Sequence, residues 1–191
     1  AFNGSGSDTK YLTTSPLSGN ITVTSAGEGS IGDTGGEPAA VDFPEEGVTV
    51  NLPEGTSGTT INTTTTESAP SANFQGNAGV RGMSPLYFTI NSSNATPGNY
   101  TIVLDFSSLG LSEAKWNRFK LLKREDADSY WENITQAPHN GTIVSRQTDG
   151  VWGKFTVSGL SSFSEFGGGE GAYTVTSNAD SGENTLRGII N

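Results

Sequence analysis

Cysteine is absent from the 191 residues, and histidine and methionine occur once each. Without thiols there are no disulfide staples, no thiolate nucleophile and no cysteine-based zinc centre, so stability must come from sheet pairing and a self-sufficient core. Charge is scarce at 16%, and basic charge scarcest: 10 Lys and Arg against 20 Asp and Glu leave a formal net charge of −10. That balance, with a pI near 4.4, excludes nucleic acid as a partner, because its phosphates would be repelled. No apolar run approaches the roughly 20 residues of a membrane-spanning helix. Hydrophobic residues amount to 32%, and their place is taken by 23 Ser, 24 Thr, 15 Asn and 26 Gly. Thr is β-branched and Ser competes for backbone hydrogen bonds, so this composition favours strands and turns over helices.

Short β-type runs separated by turn clusters repeat along residues 46–166. Val48-Thr49-Val50-Asn51-Leu52 alternates and stops at Pro53-Glu54-Gly55. Residues 59–66 are almost pure Thr around Ile61, a solvated strand by composition. Leu86, Phe88 and Ile90 share one strand face, and Ile102, Leu104 and Phe106 another. Residues 116–124 read as a strand with Phe119 and Leu121 inward, and only residues 109–115 hint at a helical turn. Asp149-Gly150 marks a hairpin between Ile143-Val144 and residues 151–157, where Phe155 and Val157 point inward. At least seven such runs, about 10–15 residues apart, predict an all-β fold: an antiparallel, immunoglobulin-like β-sandwich.

The expected organisation has three parts. Residues 1–46 form an N-terminal arm, either mobile or laid on the sandwich as accessory strands such as residues 20–24. Residues 47–168 are the sandwich. Residues 169–191 are a glycine-rich joint followed by an extra C-terminal strand, the run Gly167-Gly168-Gly169-Glu170-Gly171 being flexible by composition. The chain opens at Ala1-Phe2-Asn3, as expected of an exported chain after signal-peptide cleavage, though a trimmed piece of a longer chain reads the same.

Two stretches carry a resemblance. Phe119-Lys120-Leu121-Leu122-Lys123-Arg124, then Trp131, then Phe155-Thr156-Val157-Ser158-Gly159-Leu160-Ser161-Ser162-Phe163-Ser164-Glu165-Phe166 resembles a β-sandwich module of large secreted bacterial surface proteins. Tyr173-Thr174-Val175-Thr176-Ser177-Asn178-Ala179-Asp180-Ser181-Gly182, with Leu186-Arg187, is similar to the opening of secreted right-handed β-helix proteins. The resemblance implies a secreted, cell-surface or extracellular setting and brings no catalytic residues.

The chemistry on offer is thin. His139 lies in a Pro- and Gly-flanked loop with no second His to complete a zinc shell. The carboxylates Glu45-Glu46 and Glu125, Asp126, Asp128 sit in turn-like sequence, unlike a facing glycosidase pair. No cofactor is expected. A structural Ca²⁺ is the one ion whose ligand preference the loops meet, at residues 125–128 or at residues 178–184. Sequons occur at Asn3, Asn20, Asn62, Asn91, Asn94, Asn99, Asn133 and Asn140, against about four expected by chance, so these are the candidate glycosylation sites of an exported glycoprotein. Thr- and Asn-rich strands also generate sequons freely.

Two function classes follow. The first is a non-enzymatic structural subunit of a surface or fibrous assembly, in which strands pair between subunits. Its contact candidates are Ile21 and Val23 in the arm, Tyr173 and Val175 in the tail, and Lys120 and Arg124 in the basic run that would meet an acidic arm. Its partners are copies of itself or other surface-protein domains. The second is a carbohydrate-binding or adhesive module using Trp116, Trp131, Trp152, Tyr130 or Tyr87 as a stacking platform, Trp131 being the one expected exposed.

Overall fold

Valine, isoleucine and aromatic residues at alternate positions set where strands form and which side of each is apolar. The computed structural model describes residues 21–25, 28–31, 39–53, 59–75, 78–92, 99–135, 142–148, 150 and 152–172. These contain β1 (Ile21–Ser25), β2 (Glu28–Ile31), β3 (Ala39–Phe43), β4 (Val48–Leu52), β5 (Thr59–Thr66), β6 (Tyr87–Ser92) and β7 (Tyr100–Asp105). A 3-10 turn at Ser107–Leu109 and the helix α1 (Glu113–Arg118) come next. The remaining strands are β8 (Phe119–Arg124), β9 (Glu132–Asn133), β10 (Ile143–Arg146), β11 (Lys154–Leu160) and β12 (Glu165–Glu170).

One sheet has the order β1-β2-β5-β6-β12-β8-β9 and the other the order β10-β11-β7-β4-β3. Their ladders are antiparallel. Hairpins stay within one sheet, and the connection after each crosses to the other, so the two sheets enclose one core. The fold is therefore the antiparallel β-sandwich that the alternation predicts. Leu86, Phe88, Ile90, Ile102, Leu104, Phe106, Phe119, Leu121, Phe155 and Val157, the expected inward faces, are all buried. Phe88 meets Phe106 edge-on, ring centroids 4.9 Å apart. Phe88→Ala or Leu104→Ala should cost about 2–5 kcal/mol through lost burial and a cavity. Denaturant midpoints equal to wild type would refute the face assignment.

Several boundaries move. The arm–sandwich division at residue 46/47 falls inside the β3–β4 hairpin, whose Val41 and Phe43 belong to the core. The turn after Phe43 closes through Gly47 at φ +67°, left-handed backbone that glycine adopts without penalty, with the Gly47 amide donating to the Pro44 carbonyl. The accessory strands exist as β1 and β2, joined to β5. Residues 116–118 close a helix instead of opening β8: Ser112 caps its start, and the Arg146 guanidinium donates to the carbonyls of Trp116 and Phe119 at its end. Burial among those groups pushes the Arg146 pKa down.

The largest correction concerns the glycines. Gly167, Gly168 and Gly169 are no flexible joint. They are buried in β12, a strand interior to the seven-stranded sheet, paired through residues 165–170 with β8 and through residues 165–167 with β6. A Cβ on Gly168 would enter the Phe119 ring, one on Gly167 would lie 2.7 Å from the Met83 methyl, and one on Gly169 would strike the Gly82 carbonyl oxygen. At Gly168 and Gly169 a core ring and a backbone carbonyl approach too closely for any side chain, while at Gly167 the Met83 methyl would have to move aside.

Those neighbours come partly from a segment the strand pattern does not reveal. Residues 71–75 and 78–84 lie over the outer face of the seven-stranded sheet, where Ala78, Leu122 and Trp131 form a second apolar cluster with Phe74, Val80, Met83 and Tyr87. Leu122 reaches it because it alternates with core-facing Leu121. Backbone bonds hold the cover: Trp131 N–H to the Asn73 carbonyl (2.7 Å), Gln75 N–H to the Trp131 carbonyl (3.1 Å) and Ser84 N–H to the Gly168 carbonyl (2.7 Å).

Candidate functional site

The run from β8 into β9 gathers most of the polar chemistry. Arg124 ends β8 with its side chain 4% exposed, its Nε donating to Glu165 at 2.5 Å. Its guanidinium also donates to the Ala127 carbonyl (3.1 Å) and lies 4.4 Å from the Trp131 ring centroid. The turn beyond is held by Asp126, whose Oδ1 accepts from the Ser129 hydroxyl (2.8 Å) and the Asp128 amide (3.1 Å). These bonds, the Ser129 hydroxyl first, hold the Asp126 carboxyl below the usual carboxylate range.

Tyr130 and Trp131 then separate. Trp131 turns inward, fully buried, its indole N–H donating to the Ser71 carbonyl at 3.0 Å. Tyr130 projects outward and is 63% exposed. Adjacent residues in extended chain face opposite ways, and the larger ring takes the apolar side. Trp131 is thus no stacking platform. Trp116 is buried against Phe155, Trp152 and Tyr87 are half-buried, and Tyr130 is the exposed one of the five aromatic candidates. Beside it opens a cleft of about 610 Å³ at one end of the sandwich, lined among others by Gln75, Lys123, Glu125, Asp128, Ser129 and Glu132.

The other expected site residues fall as follows. Arg124 cannot serve a partner subunit while buried against Glu165. Arg118 pairs with Glu170 (3.2 Å) and Lys123 with Glu125 (2.6 Å), so much of the basic run is neutralised within the chain. Lys120 sits opposite Gly169, in a strand flanked on both sides. Ile21 and Val23 lie in β1, whose one strand partner among the described residues is β2. Tyr173 and Val175 lie outside the described residues, although the chain just before them is fixed by the Ala172 amide donating to the Gly79 carbonyl.

Among the sequons, Asn62 and Asn91 stand opposite each other in the β5–β6 ladder, Asn91 exposed. Asn99 is exposed at φ +62°. Asn133 has both ends of its amide engaged: Nδ2 donates to the Ala78 carbonyl (2.9 Å) and Oδ1 accepts from Thr135 N–H (3.0 Å), which opposes glycosylation there. Asn3, Asn20, Asn94 and Asn140, with His139 and the carboxylates of residues 178–184, lie outside the described residues. Glu125 and Asp126 point to different partners, Lys123 and the turn itself. Among the described residues no three His, Asp or Glu side chains converge as a metal shell would require.

On the five-stranded sheet, Asp105 accepts from the Ser107 amide (2.8 Å) and pairs with Lys154 (3.1 Å). Burial works to raise its pKa, but the Ser107 bonds and the Lys154 charge prevail and hold it below the ordinary value. A depressed carboxylate stabilises the fold fully above the unfolded pKa of about 4 and loses that contribution as pH falls through the folded value. Asp105→Asn should therefore flatten the stability loss below about pH 4. An acid-unfolding curve parallel to wild type would remove this role.

No protein-family model matches the chain, and no curated protein or solved structure is similar to it at a significant level.

Proposed function

We propose that the chain is a secreted, non-enzymatic structural module of a cell-surface or extracellular fibrous assembly, joined to its neighbours by strand pairing at the sheet edges. The observation that carries this reading is β10, which among the described residues is the outer strand of the five-stranded sheet. Its outward-facing residues are Ile143, 64% exposed, and Ser145, also exposed. Soluble sandwiches commonly blunt such an edge with outward charge, proline or a bulge. Here an isoleucine stands on it, and the neighbouring backbone donors and acceptors form a template for one more strand. β1 offers the outer edge of the other sheet. Pairing β1 of one copy with β10 of the next is heterologous and generates an open fibre, not a closed dimer.

The composition agrees with the setting: few charges, many Thr, Ser and Asn, and a core that holds without disulfides. Fixing of the chain up to Ala172 shifts the weight of assembly from a flexible tail to these edges. Ile143→Lys tests the reading. It should lower the mass of assemblies seen by light scattering several-fold while leaving the melting temperature nearly unchanged, because exposed substitutions typically shift stability by no more than about 0.5 kcal/mol. Assembly identical to wild type would exclude β10 as the joining edge.

A further inference from the structure

We infer that the cleft beside Tyr130 binds a neutral, hydroxyl-rich saccharide chain, with the tyrosine ring as its stacking platform. Tyr130 and Ile143 are the two large hydrophobic side chains described as exposed. Ile143 lies on a strand edge that backbone pairing would cover, whereas Tyr130 stands at the mouth of a cleft.

The backbone that carries Tyr130 is held on both sides. On one side of Tyr130, the Ser129 amide donates to the Asp126 carbonyl (3.2 Å) and its hydroxyl to the Asp126 carboxylate. On the other, Trp131 is bonded through its amide, carbonyl and indole N–H to Asn73, Gln75 and Ser71. With the backbone fixed on both sides, only the side-chain torsions of Tyr130 remain to be ordered when its face stacks on sugar C–H groups.

The lining supplies the rest. Glu125, Asp128 and Glu132 provide carboxylate acceptors, Gln75 an amide, and Ser129, Ser161 and Ser162 hydroxyls. Sugar hydroxyls both donate and accept, so a mixed set of this kind suits them. The volume of about 610 Å³ lies within the range of small-molecule sites. Charge narrows the class. The lining holds two cations, Lys123 bonded to Glu125 and Arg124 bonded to Glu165, and three carboxylates, Glu125, Asp128 and Glu132, for a net formal charge of −1. An anionic glycan, phosphate or nucleic acid would meet net repulsion, while an uncharged saccharide meets none. The cleft lies at the sandwich end and is lined by Thr142, next to Ile143 of the β10 edge, so the titration is run on the Ile143→Lys protein as well, where saccharide binding should persist without strand pairing.

The test is calorimetric titration of the full chain with neutral oligosaccharides: the hexamers of β-glucose, α-glucose, mannose, xylose and N-acetylglucosamine. At least one should bind. Tyr130→Ala should weaken that binding at least about tenfold with the melting temperature unchanged, and Tyr130→Trp should keep it. Lys115→Ala, at the opposite end of the sandwich, should bind as wild type. No binding by any of the five, or unchanged affinity in Tyr130→Ala, would each overturn the inference.

Discussion

Replacing Gly169 with valine is expected to destabilise the protein by about 1–3 kcal/mol or to prevent folding, the range of a forced overpacking. The sign is what matters. In an exposed linker or a freely spaced strand, Gly→Val would be neutral or favourable, since glycine gives the unfolded chain the most freedom and valine is the better strand former. At position 169 the new Cβ would strike the Gly82 carbonyl, part of the backbone that covers the sheet and whose neighbour Ser84 is bonded to Gly168. Backbone cannot swing aside as a side chain can, and the cover would have to lift. Gly168→Ala meets the Phe119 ring instead, inside the core. Both losses should appear as lower denaturant midpoints, and Gly169→Val should also raise amide exchange at Ser84. A Gly169→Val protein as stable as wild type would restore the flexible joint.

The second large effect is expected at Arg124. Arg124→Met leaves Glu165, whose side chain is 14% exposed, without its cation and should cost about 3 kcal/mol, the lower end for a broken buried pair. The doubly apolar Arg124→Met/Glu165→Leu should recover most of that loss, because a buried pair replaced as a whole removes the uncompensated charge as well. Arg124→Lys should not rescue fully: an ammonium cannot bond Glu165, Ala127 and the Trp131 face together, as the planar guanidinium does. A double variant no more stable than Arg124→Met would show that the guanidinium acts mainly through Trp131 and the turn.

Both predictions rest on residues whose roles the sequence conceals, for identifiable reasons. Strand faces such as Leu86, Phe88 and Ile90 are legible because one side is apolar and the other polar, and a period of two follows directly. Gly167, Gly168 and Gly169 have no side chain to show a period, so composition alone reads as a linker. Their partners Gly82, Met83 and Phe119 are distant in sequence. Arg124 reads as surface charge because its counterion, Glu165, lies 41 positions away. The Tyr130-Trp131 pair shows that one ring faces out and one in, but not which, since the covering residues 71–75 and 78–84 lack a regular pattern. Residues 71–86 carry no excess of large apolar residues either: Phe74, Val80, Met83 and Leu86 are 4 of these 16 residues, the same quarter share as in the whole chain.

The edge-pairing account itself is tested most directly by negative-stain microscopy of the full chain over a wide concentration range. The account predicts unbranched fibres with one subunit per axial repeat, lost in Ile143→Lys. Single particles of monomer size at every concentration would contradict it.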